Sequence, residues 1–345
     1  QIILQTDFEK VQHSQRLTAL PVKGIGLDFV HGDHLELIQK FGFPSDKVLG
    51  VGIINGRNVW RANLEEKFQF LQNIQQAANP ETLIVQPSCS LLHVPVTKHL
   101  EEKLDTVVKD GLSFANEKLE ELQILTTALQ AGKQSVADAF EASQQAIAKL
   151  DQSAYRSQTP TIAKHKAKRE ISFAERKKRQ QASLNLPLLP TTTIGSLPQT
   201  PQVKRTRTKW RKGEISDQAY EEFTGSETRR WIQIQEDLDL DVLVHGEFER
   251  NDMVEYFGEK LKGFAVTEFG WVQSYGSRCV KPPLLAGNVE WEKAITVKEI
   301  AYAQSLTDRP VKGMLTGPVT ILNWSFVHEE LPRFTVQDQI ALALE

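Results

Sequence analysis

The sequence predicts an α/β fold built on parallel strands, and three observations support this prediction. Short apolar runs alternate with helical segments along most of the 345 residues. Several of these runs end in glycine or in small polar residues, as strands of a parallel barrel do where they deliver polar groups to the rim of a site. The length is also sufficient for two domains of ordinary size.

The first half contains strand-and-helix repeats followed by two longer helical patterns. We predict strands at residues 22–28, 47–54 and 83–85, and helices at residues 33–41, 63–78, 97–131 and 135–150. Asn63 is followed three residues later by Glu66, a capping-box pattern for the start of a helix. Repeated strand, polar break and helix are typical of βα units in a parallel sheet. The leucines of residues 97–131 recur at helical spacing, which indicates core packing and not a cofactor site.

A basic segment separates the two halves. Residues 156–179 include nine Lys or Arg residues but only two acidic residues. Such a segment is typical of a linker or a solvated helix, and an arm that binds nucleic acid is the alternative. We therefore predict a linker at residues 151–186, between a first domain at 1–150 and a second domain at 187–345.

The second half resumes the alternation of strands and helices. We predict strands at residues 190–196, 242–244 and 311–315, a hairpin or insertion at 264–273, and helices at 216–240, 252–259, 295–305 and 335–345. The strand at 242–244 breaks at Gly246, and titratable residues crowd around this break: His245, Glu247, Glu249, Arg250 and Asp252. A buried strand that ends in glycine and clustered charge is typical of an active-site rim, but for a single Gly-Glu pair a strand that runs into a solvated loop is the commoner case.

Composition argues against several classes of protein. The formal net charge is -3 and 25% of the residues are charged, which argues against a general nucleic-acid or membrane partner. No apolar run approaches the roughly 20 residues that a bilayer span requires, and no signal-peptide pattern opens the chain. Cys89 and Cys279 lie far apart and form no metal-type pair. So few thiols indicate a reducing, cytoplasmic setting.

Four polar breaks in the second half are weak motifs singly but specific together with their flanking residues. They are Ile194-Gly-Ser196, His245-Gly-Glu247, Ser277-Arg-Cys279 and Asn323-Trp-Ser325. In the context of residues 191–200, 241–257, 271–283 and 311–322, they closely resemble the cobalamin-independent methionine synthase family. Residues 17–22, 55–60 and 87–93 resemble that family's amino-terminal domain.

The resemblance implies a fused pair of (β/α)8 TIM barrels. The chain would hold the carboxy-terminal part of the first barrel and the first half of the second, catalytic barrel, joined by the helical basic linker, as an internal part of a longer enzyme. The family transfers a methyl group from 5-methyltetrahydropteroyl-polyglutamate to L-homocysteine, which gives L-methionine, and zinc holds the homocysteine sulfur. We therefore expect these two substrates as partners, no nucleic-acid or membrane partner, and a monomeric full-length enzyme.

The resemblance also implies roles for individual residues. It implies homocysteine contacts at Ile194, Gly195, Ser196 and Glu247, the last as the partner of the amino group. It implies methylfolate contacts at Arg278, Cys279 and Trp324. Three further residues are weaker candidates for substrate contacts, because we expect them to orient or frame the loop: His245, Arg250 and Asp252.

The residue types suit these roles. A fixed carboxylate such as Glu247 pairs with an ammonium group, and a strand-end Gly-Ser offers hydrogen-bond donors to a carboxylate. An indole such as Trp324 offers a flat surface to a pterin ring. The structural alternatives are core packing for Trp324, a buried inert thiol or a purely backbone contact for Cys279, ion pairing for Arg278 and helix capping for Ser196.

The zinc site limits what the resemblance implies. The family's ligands are His, Cys, Glu and Cys, with a further His as proton donor, and all follow the last segment matched here, beyond Glu345. Zinc keeps a thiol as thiolate, and a general acid assists the departure of the folate nitrogen. We therefore expect no metal ligand and no catalytic residue in this chain. Two hypotheses follow: a partial methyltransferase, or a silent binding module that retains folate and amino-acid contacts.

Overall fold

The computed structural model describes residues 2–156 and 169–345. These residues form two compact units that alternate along the sequence. The first unit comprises residues 2–156, 262–290 and 322–343, and the second comprises residues 169–261, 291–321 and 344–345. Within the described ranges, no helix combines the length and apolar character needed to cross a membrane.

The helices and strands are numbered in chain order. The strands are β1 (Ile3–Gln5), β2 (Gly24–Asp28), β3 (Val48–Ile54), β4 (Thr82–Pro87), β5 (Leu243–Val244), β6 (Lys262–Ala265), β7 (Val272–Gln273), β8 (Cys279–Val280), β9 (Leu284–Glu290), β10 (Val311–Lys312) and β11 (Phe326–Val327). The α-helices are α1 (Ser14–Thr18), α2 (His34–Phe41), α3 (Leu64–Ala78), α4 (Thr106–Asp110), α5 (Ala115–Ala131), α6 (Ala137–Asp151), α7 (Phe173–Leu184), α8 (Pro201–Arg211), α9 (Asp217–Asp237), α10 (Glu255–Gly258), α11 (Val297–Gln304), α12 (Pro318–Asn323) and α13 (Arg333–Leu344).

The first unit is organised around a parallel sheet with the strand order β1-β2-β3-β4. Every residue of β2 is buried, as expected for a strand covered on both faces. Leu49 of β3 and Leu71 of α3 are fully buried in the same apolar core. The Asn63 side chain accepts a hydrogen bond from the Glu66 backbone nitrogen at 3.4 Å and so begins α3 where the sequence predicts it. This sheet confirms the predicted α/β class.

The first unit also contains a smaller sheet with the order β11-β9-β6. In it β9 is parallel to β11 and antiparallel to β6, and a separate antiparallel hairpin joins β7 to β8. Leu284 and Ala286 of β9 are buried against Trp60. The Trp60 indole nitrogen donates to the Phe326 carbonyl oxygen at 3.0 Å, which fixes β11.

The second unit is centred on β5, which lies parallel to β10. The segment before α8 also runs parallel to this strand, through isolated bridges from Thr192 to Val242 and from Ser196 to Gly246. Leu243 of β5 is fully buried and packs in one cluster with Ile232 of α9. The end of β5 is therefore held between two neighbouring backbone segments.

The helix predicted at residues 97–131 is wrong in its extent. The structure has irregular backbone up to α4, and a second break at Gly111 before α5. A tertiary contact explains the irregular part. The buried Glu101 carboxylate accepts hydrogen bonds from the backbone nitrogens of Glu268 at 2.6 Å and Phe269 at 2.8 Å. A regular helix at residue 101 would lose these two hydrogen bonds.

The strand predicted at residues 190–196 is reduced to the two isolated bridges. The Asp241 side chain accepts hydrogen bonds from the Thr191 backbone nitrogen at 2.7 Å and from the Thr191 hydroxyl at 2.8 Å. A side chain thus takes the place of a ladder partner at the start of this segment, and its backbone stays extended without forming a continuous strand.

The predicted linker at residues 151–186 is described only in part, because residues 157–168 lie outside the described residues. The exposed helix α7 follows, and its cap Ser172 accepts a hydrogen bond from the Glu175 backbone nitrogen at 3.3 Å. This part of the basic segment is a solvated helix. The division of the sequence into domains at 1–150 and 187–345 stays a prediction.

Candidate functional site

The candidate site in the second unit lies at the end of β5. Ser196 pairs with Gly246 in a parallel bridge, and the Leu197 backbone nitrogen donates to the Gly246 carbonyl oxygen at 3.0 Å. These bonds place the Ile194-Gly-Ser196 motif beside the His245-Gly-Glu247 motif. The structure therefore brings together all four residues for which the resemblance implies homocysteine contacts.

Left-handed backbone shapes this strand end. Gly246 has φ +96° and Gly195 has φ +144°, and Glu247 has φ +59°, which is uncommon for a residue with a side chain. A β-carbon on Gly195 would lie only 2.7 Å from Glu247 Oε1 and 2.6 Å from Met314 Cγ. The absence of a side chain at residue 195 therefore allows the Glu247 carboxylate to lie directly against the backbone.

The Glu247 carboxylate is largely shielded from solvent and faces an arginine. Its side chain is 13% exposed, and its Oε2 lies 3.5 Å from Nη1 of the buried Arg250. The other oxygen, Oε1, is the one that lies against Gly195. One oxygen thus faces a cation and the other lies against bare backbone, so an ammonium group at this position would meet a largely shielded negative charge.

The Glu249 carboxylate contacts Arg250, and the His245 imidazole contacts Glu249 in turn. Arg250 Nε donates to Glu249 Oε1 at 2.9 Å, and His245 Nε2 lies 3.1 Å from the same oxygen. Burial by itself would raise the pKa of Glu249. The hydrogen bond with His245, together with the charges of His245 and Arg250, instead lowers this pKa to about 2. Glu249 is therefore a buried carboxylate that stays ionised.

The three residues that we expected to frame the loop, His245, Arg250 and Asp252, make contacts around the end of β5. His245 is 2% exposed and contacts Glu249, and the Arg250 guanidinium lies 5.0 Å from the centroid of the Tyr256 ring. The Asp252 carboxylate accepts hydrogen bonds from the backbone nitrogens of Val254 at 2.8 Å and Glu255 at 3.1 Å. These contacts agree with a framing role.

The set of residues implied in homocysteine binding also has a solvent-facing side. Ile194 and Ser196 are exposed on either side of the buried Gly195. The alternative that Ser196 caps a helix is wrong, because Thr200 accepts the hydrogen bond from the Val203 backbone nitrogen that caps α8. The backbone of Ser196 thus lies beside Gly246, and the residue is exposed.

The three methylfolate candidates lie in the first unit. Arg278 and Cys279 belong to the hairpin of β7 and β8, where Cys279 pairs with Gln273 and the Arg278 carbonyl oxygen accepts from the Ser274 backbone nitrogen at 2.8 Å. Trp324 lines a cleft together with residues 272–274 of this hairpin. The hairpin and the indole are therefore neighbours.

Two alternatives for these residues are wrong. Cys279 is exposed, so it is not a buried inert thiol. Trp324 is 43% exposed, so it is not a core residue. A β-hairpin carries Cys279 at a surface, and the indole keeps one part of its ring free for a flat ligand.

Sequence reasoning missed several groups that shape the strand end in the second unit. Arg207 Nη2 donates to the Phe248 carbonyl oxygen and to Gln199 Oε1, both at 2.6 Å, and Gln199 Nε2 donates to the Glu247 carbonyl oxygen at 3.1 Å. Met314 lies against Gly195. Gln199 and Met314 fall inside the motifs quoted above, but their contacts depend on how those motifs meet.

The described residues do not form a site that fits a zinc ion. Across residues 2–156 and 169–345, no three His, Cys, Asp or Glu side chains converge as a metal site. Cys89 is buried, and burial raises the pKa of its thiol, which disfavours the thiolate that zinc prefers. Cys279 lies on an exposed hairpin.

Comparison with known proteins gives two family matches. Residues 189–345 match the family described as "Cobalamin-independent synthase, Catalytic domain". Residues 1–79 match the family described as "Cobalamin-independent synthase, N-terminal domain". A chain that carries parts of both domains agrees with the predicted parts of two barrels.

Curated relatives match nearly the whole chain. A protein of Listeria welshimeri is 56% identical over 351 residues, which cover 99% of this chain and 46% of the relative. A protein of Halalkalibacterium halodurans is 56% identical over 346 residues, with the same two coverages. Both are named 5-methyltetrahydropteroyltriglutamate–homocysteine methyltransferase. The chain spans about half the length of these relatives.

Proposed function

Because the chain belongs to the cobalamin-independent synthase family, we propose that it binds the substrates of a methyl transfer from 5-methyltetrahydropteroyl-polyglutamate to L-homocysteine, which yields L-methionine. One observation carries this proposal: the Glu247 carboxylate lies between Arg250 and the bare backbone of Gly195. An α-amino acid needs such a carboxylate for its ammonium group, with hydrogen-bond donors beside it for its own carboxylate.

Homocysteine is held in this proposal by complementary charge. Its ammonium group pairs with Glu247, and its carboxylate accepts hydrogen bonds from the Ser196 hydroxyl and from the backbone of the exposed Ile194-Gly-Ser196 motif. Arg250 keeps Glu247 in place and does not touch the substrate, because it is 4% exposed and already contacts Glu249. The site thus orients the amino-acid end and leaves the sulfur-bearing end free.

Methylfolate is held in this proposal by the first unit. The Trp324 indole offers its exposed part to the pterin ring, and Arg278 and Cys279 contribute contacts from the neighbouring hairpin. Since the hairpin backbone of Cys279 is already paired with Gln273, the exposed thiol is the more accessible of its groups.

A silent binding module is the second candidate function. It is favoured by one observation, that the described residues do not fit the zinc ion of the family's chemistry. In such a module Glu247 and Trp324 would bind the amino acid and the folate, and no methyl group would move.

Titration calorimetry tests the proposal with the purified chain. We expect saturable binding of L-homocysteine and much weaker binding of 4-sulfanylbutanoate, which lacks the ammonium group that Glu247 recognises. We also expect saturable binding of 5-methyltetrahydropteroyltriglutamate. Equal affinity for homocysteine and its deaminated analogue, or no binding of either substrate, would contradict the proposal.

An assay for methionine, with both substrates and added zinc, separates the two candidate functions. Methionine formation supports the methyltransferase, whereas substrate binding without methionine supports the silent module. In either case we propose a cytoplasmic setting, which the low number of cysteines supports.

A further inference from the structure

A groove between helices α9 and α11 of the second unit has no part in the proposed binding of the two substrates. Its volume is about 590 Å³, within the roughly 300–1,000 Å³ typical of small-molecule sites. A β-carbon on Gly225 would lie 3.4 Å from the Tyr302 ring, so the two helices approach closely where they line the groove. The walls combine small residues with charged ones, among them Gly225, Thr228, Arg229, Glu249, Glu299 and Tyr302.

Glu299 supplies a negative group that lacks a partner. Within the described residues, its Oε2 is buried and accepts no hydrogen bond. Burial, and then the charges of Glu249 and Glu299, raise the pKa of Tyr256, which indicates that both carboxylates lie near this phenol. The Tyr256 hydroxyl donates instead to the Ile295 carbonyl oxygen at 3.3 Å. Because a buried carboxylate oxygen without a donor is costly, a ligand with an N–H group at Glu299 would be stabilised.

The hydroxyl groups of α9 add acceptors to the same groove. The Ser226 hydroxyl donates to the Phe223 carbonyl oxygen at 2.7 Å, and the Thr228 hydroxyl donates to the Thr224 carbonyl oxygen at 3.0 Å. Each hydroxyl hydrogen is thus used within the helix, so toward a ligand these oxygens can only accept. An ammonium group, which has three donors and no acceptor, suits this wall.

Arg229 supplies a positive group to the groove. Its Nη2 donates to the Tyr302 hydroxyl at 3.2 Å, and it forms no ion pair with any described residue. The other cation that lines the groove, Lys298, lies 2.6 Å from a carboxylate oxygen of Glu221. The Arg229 guanidinium is therefore available to a carboxylate, which it can bind through two parallel hydrogen bonds.

We propose that the groove between α9 and α11 binds a small amino acid as a zwitterion, with its ammonium group at Glu299 and its carboxylate at Arg229. A single metal ion suits these carboxylates less well, because no three potential ligands converge as a metal site in the described parts of the chain. The proposal does not rest on the proposed function, since neither Glu299 nor Arg229 belongs to the homocysteine or folate residues.

Titration calorimetry with the purified chain tests this site. The probes are glycine, 4-aminobutanoate and 6-aminohexanoate, which separate the ammonium group from the carboxylate by increasing distances. We expect saturable binding of at least one of them. Glu299→Gln should raise the Kd of the tightest probe by on the order of tenfold, because the charge opposite the ammonium group is lost. Arg229→Gln should raise it by on the order of threefold, because this exposed guanidinium is screened by solvent.

Matched controls make the result specific. The amine that corresponds to the tightest probe but lacks its carboxylate should bind more weakly, and Arg229→Gln should not change its affinity. Glu214→Gln and Arg205→Gln, two exposed substitutions outside the groove, should bind the probe as the wild type does. Unchanged circular dichroism establishes that each variant is folded. If Glu299→Gln does not fold, the surface variant Arg229→Gln still tests the site.

Glu247→Gln separates the groove from the proposed homocysteine site, and it should leave the affinity for the probe unchanged. If Glu247→Gln weakens the probe and Glu299→Gln does not, the probe binds at the end of β5 and the groove proposal is wrong. The groove proposal is also wrong if no probe binds or if both groove variants bind like the wild type. Failure of homocysteine to bind would instead contradict the proposed function and leave the groove proposal intact.

Discussion

Two buried clusters of charged residues differ in what the protein does with their charges. In the first unit, Lys118 and Glu121 lie one turn apart on α5, and both are almost fully buried. Burial lowers the pKa of Lys118 and raises the pKa of Glu121, so both groups are pushed toward their neutral forms. In the second unit, Glu249 is largely buried, with 13% of its side chain exposed, yet its pKa is lowered to about 2.

The number of partners accounts for the difference. Glu249 Oε1 lies 3.1 Å from His245 and accepts from Arg250 at 2.9 Å, so favourable charge outweighs the loss of water. Glu121 accepts a hydrogen bond from the Ala62 backbone nitrogen at 3.1 Å, and Lys118 Nζ donates to the Trp60 carbonyl oxygen at 3.4 Å. The first cluster belongs to the core, whereas the second holds ionised side chains at the end of β5.

Removal of the central cation should have the largest effect. Arg250→Ala leaves the largely shielded carboxylates of Glu247 and Glu249 without their arginine, and we expect the second unit to lose about 3–5 kcal/mol of stability. Hydrogen exchange of the backbone amides at residues 243–257 measures the loss. The matched control is Arg179→Ala, which breaks an exposed ion pair with Glu175 and should cost less than about 1 kcal/mol. Similar losses in the two variants would contradict the account.

Acid should weaken the same cluster. The folded-state pKa of Glu249 lies near 2, below the ordinary value of 4.5, so between these values the unfolded chain binds more protons. The contribution is therefore complete above pH 4.5 and is lost as the pH falls toward 2, with a size on the order of 3 kcal/mol. Thermal unfolding midpoints at pH 2 to 6 measure it, and Glu249→Gln should flatten the dependence. An unchanged slope in the variant would argue against the assignment.

The first cluster should respond in the opposite direction. Lys118→Met replaces a buried amine, whose charge the core disfavours, with an apolar side chain of similar length, and we expect a gain of about 1 kcal/mol at pH 7. Because the lowered pKa of Lys118 makes the wild type more stable as the pH rises toward the ordinary value of 10.5, this rise should be weaker in the variant. Thermal unfolding at pH 7 and pH 10 tests both points. A loss of stability at pH 7 would show that the charged amine stabilises the core.

Local signals in the sequence predicted the framework well. The cap at Asn63 and the apolar run of β3 depend on neighbouring residues, and both were found where predicted. The helix predicted at 97–131 failed because Glu101 bonds to backbone groups more than 160 positions away, which no local pattern encodes.

The candidate site was predictable as a set of residues and not as an arrangement. The motifs and their resemblance indicated Gly195 and Glu247. The contact of Glu247 with Arg250 depends on a left-handed backbone at Glu247, which favours glycine and carries no sequence signal here.

The affinity of the Glu247→Gln variant for L-homocysteine tests the central claim most directly. This substitution keeps the shape of the side chain and removes its charge, so we expect the Kd measured by titration calorimetry to rise by on the order of tenfold to a hundredfold. Glu214→Gln, an exposed glutamate outside the candidate site, should bind as the wild type does. A Glu247→Gln variant that binds homocysteine as tightly as the wild type would contradict the assignment of Glu247 as the anchor of the amino group.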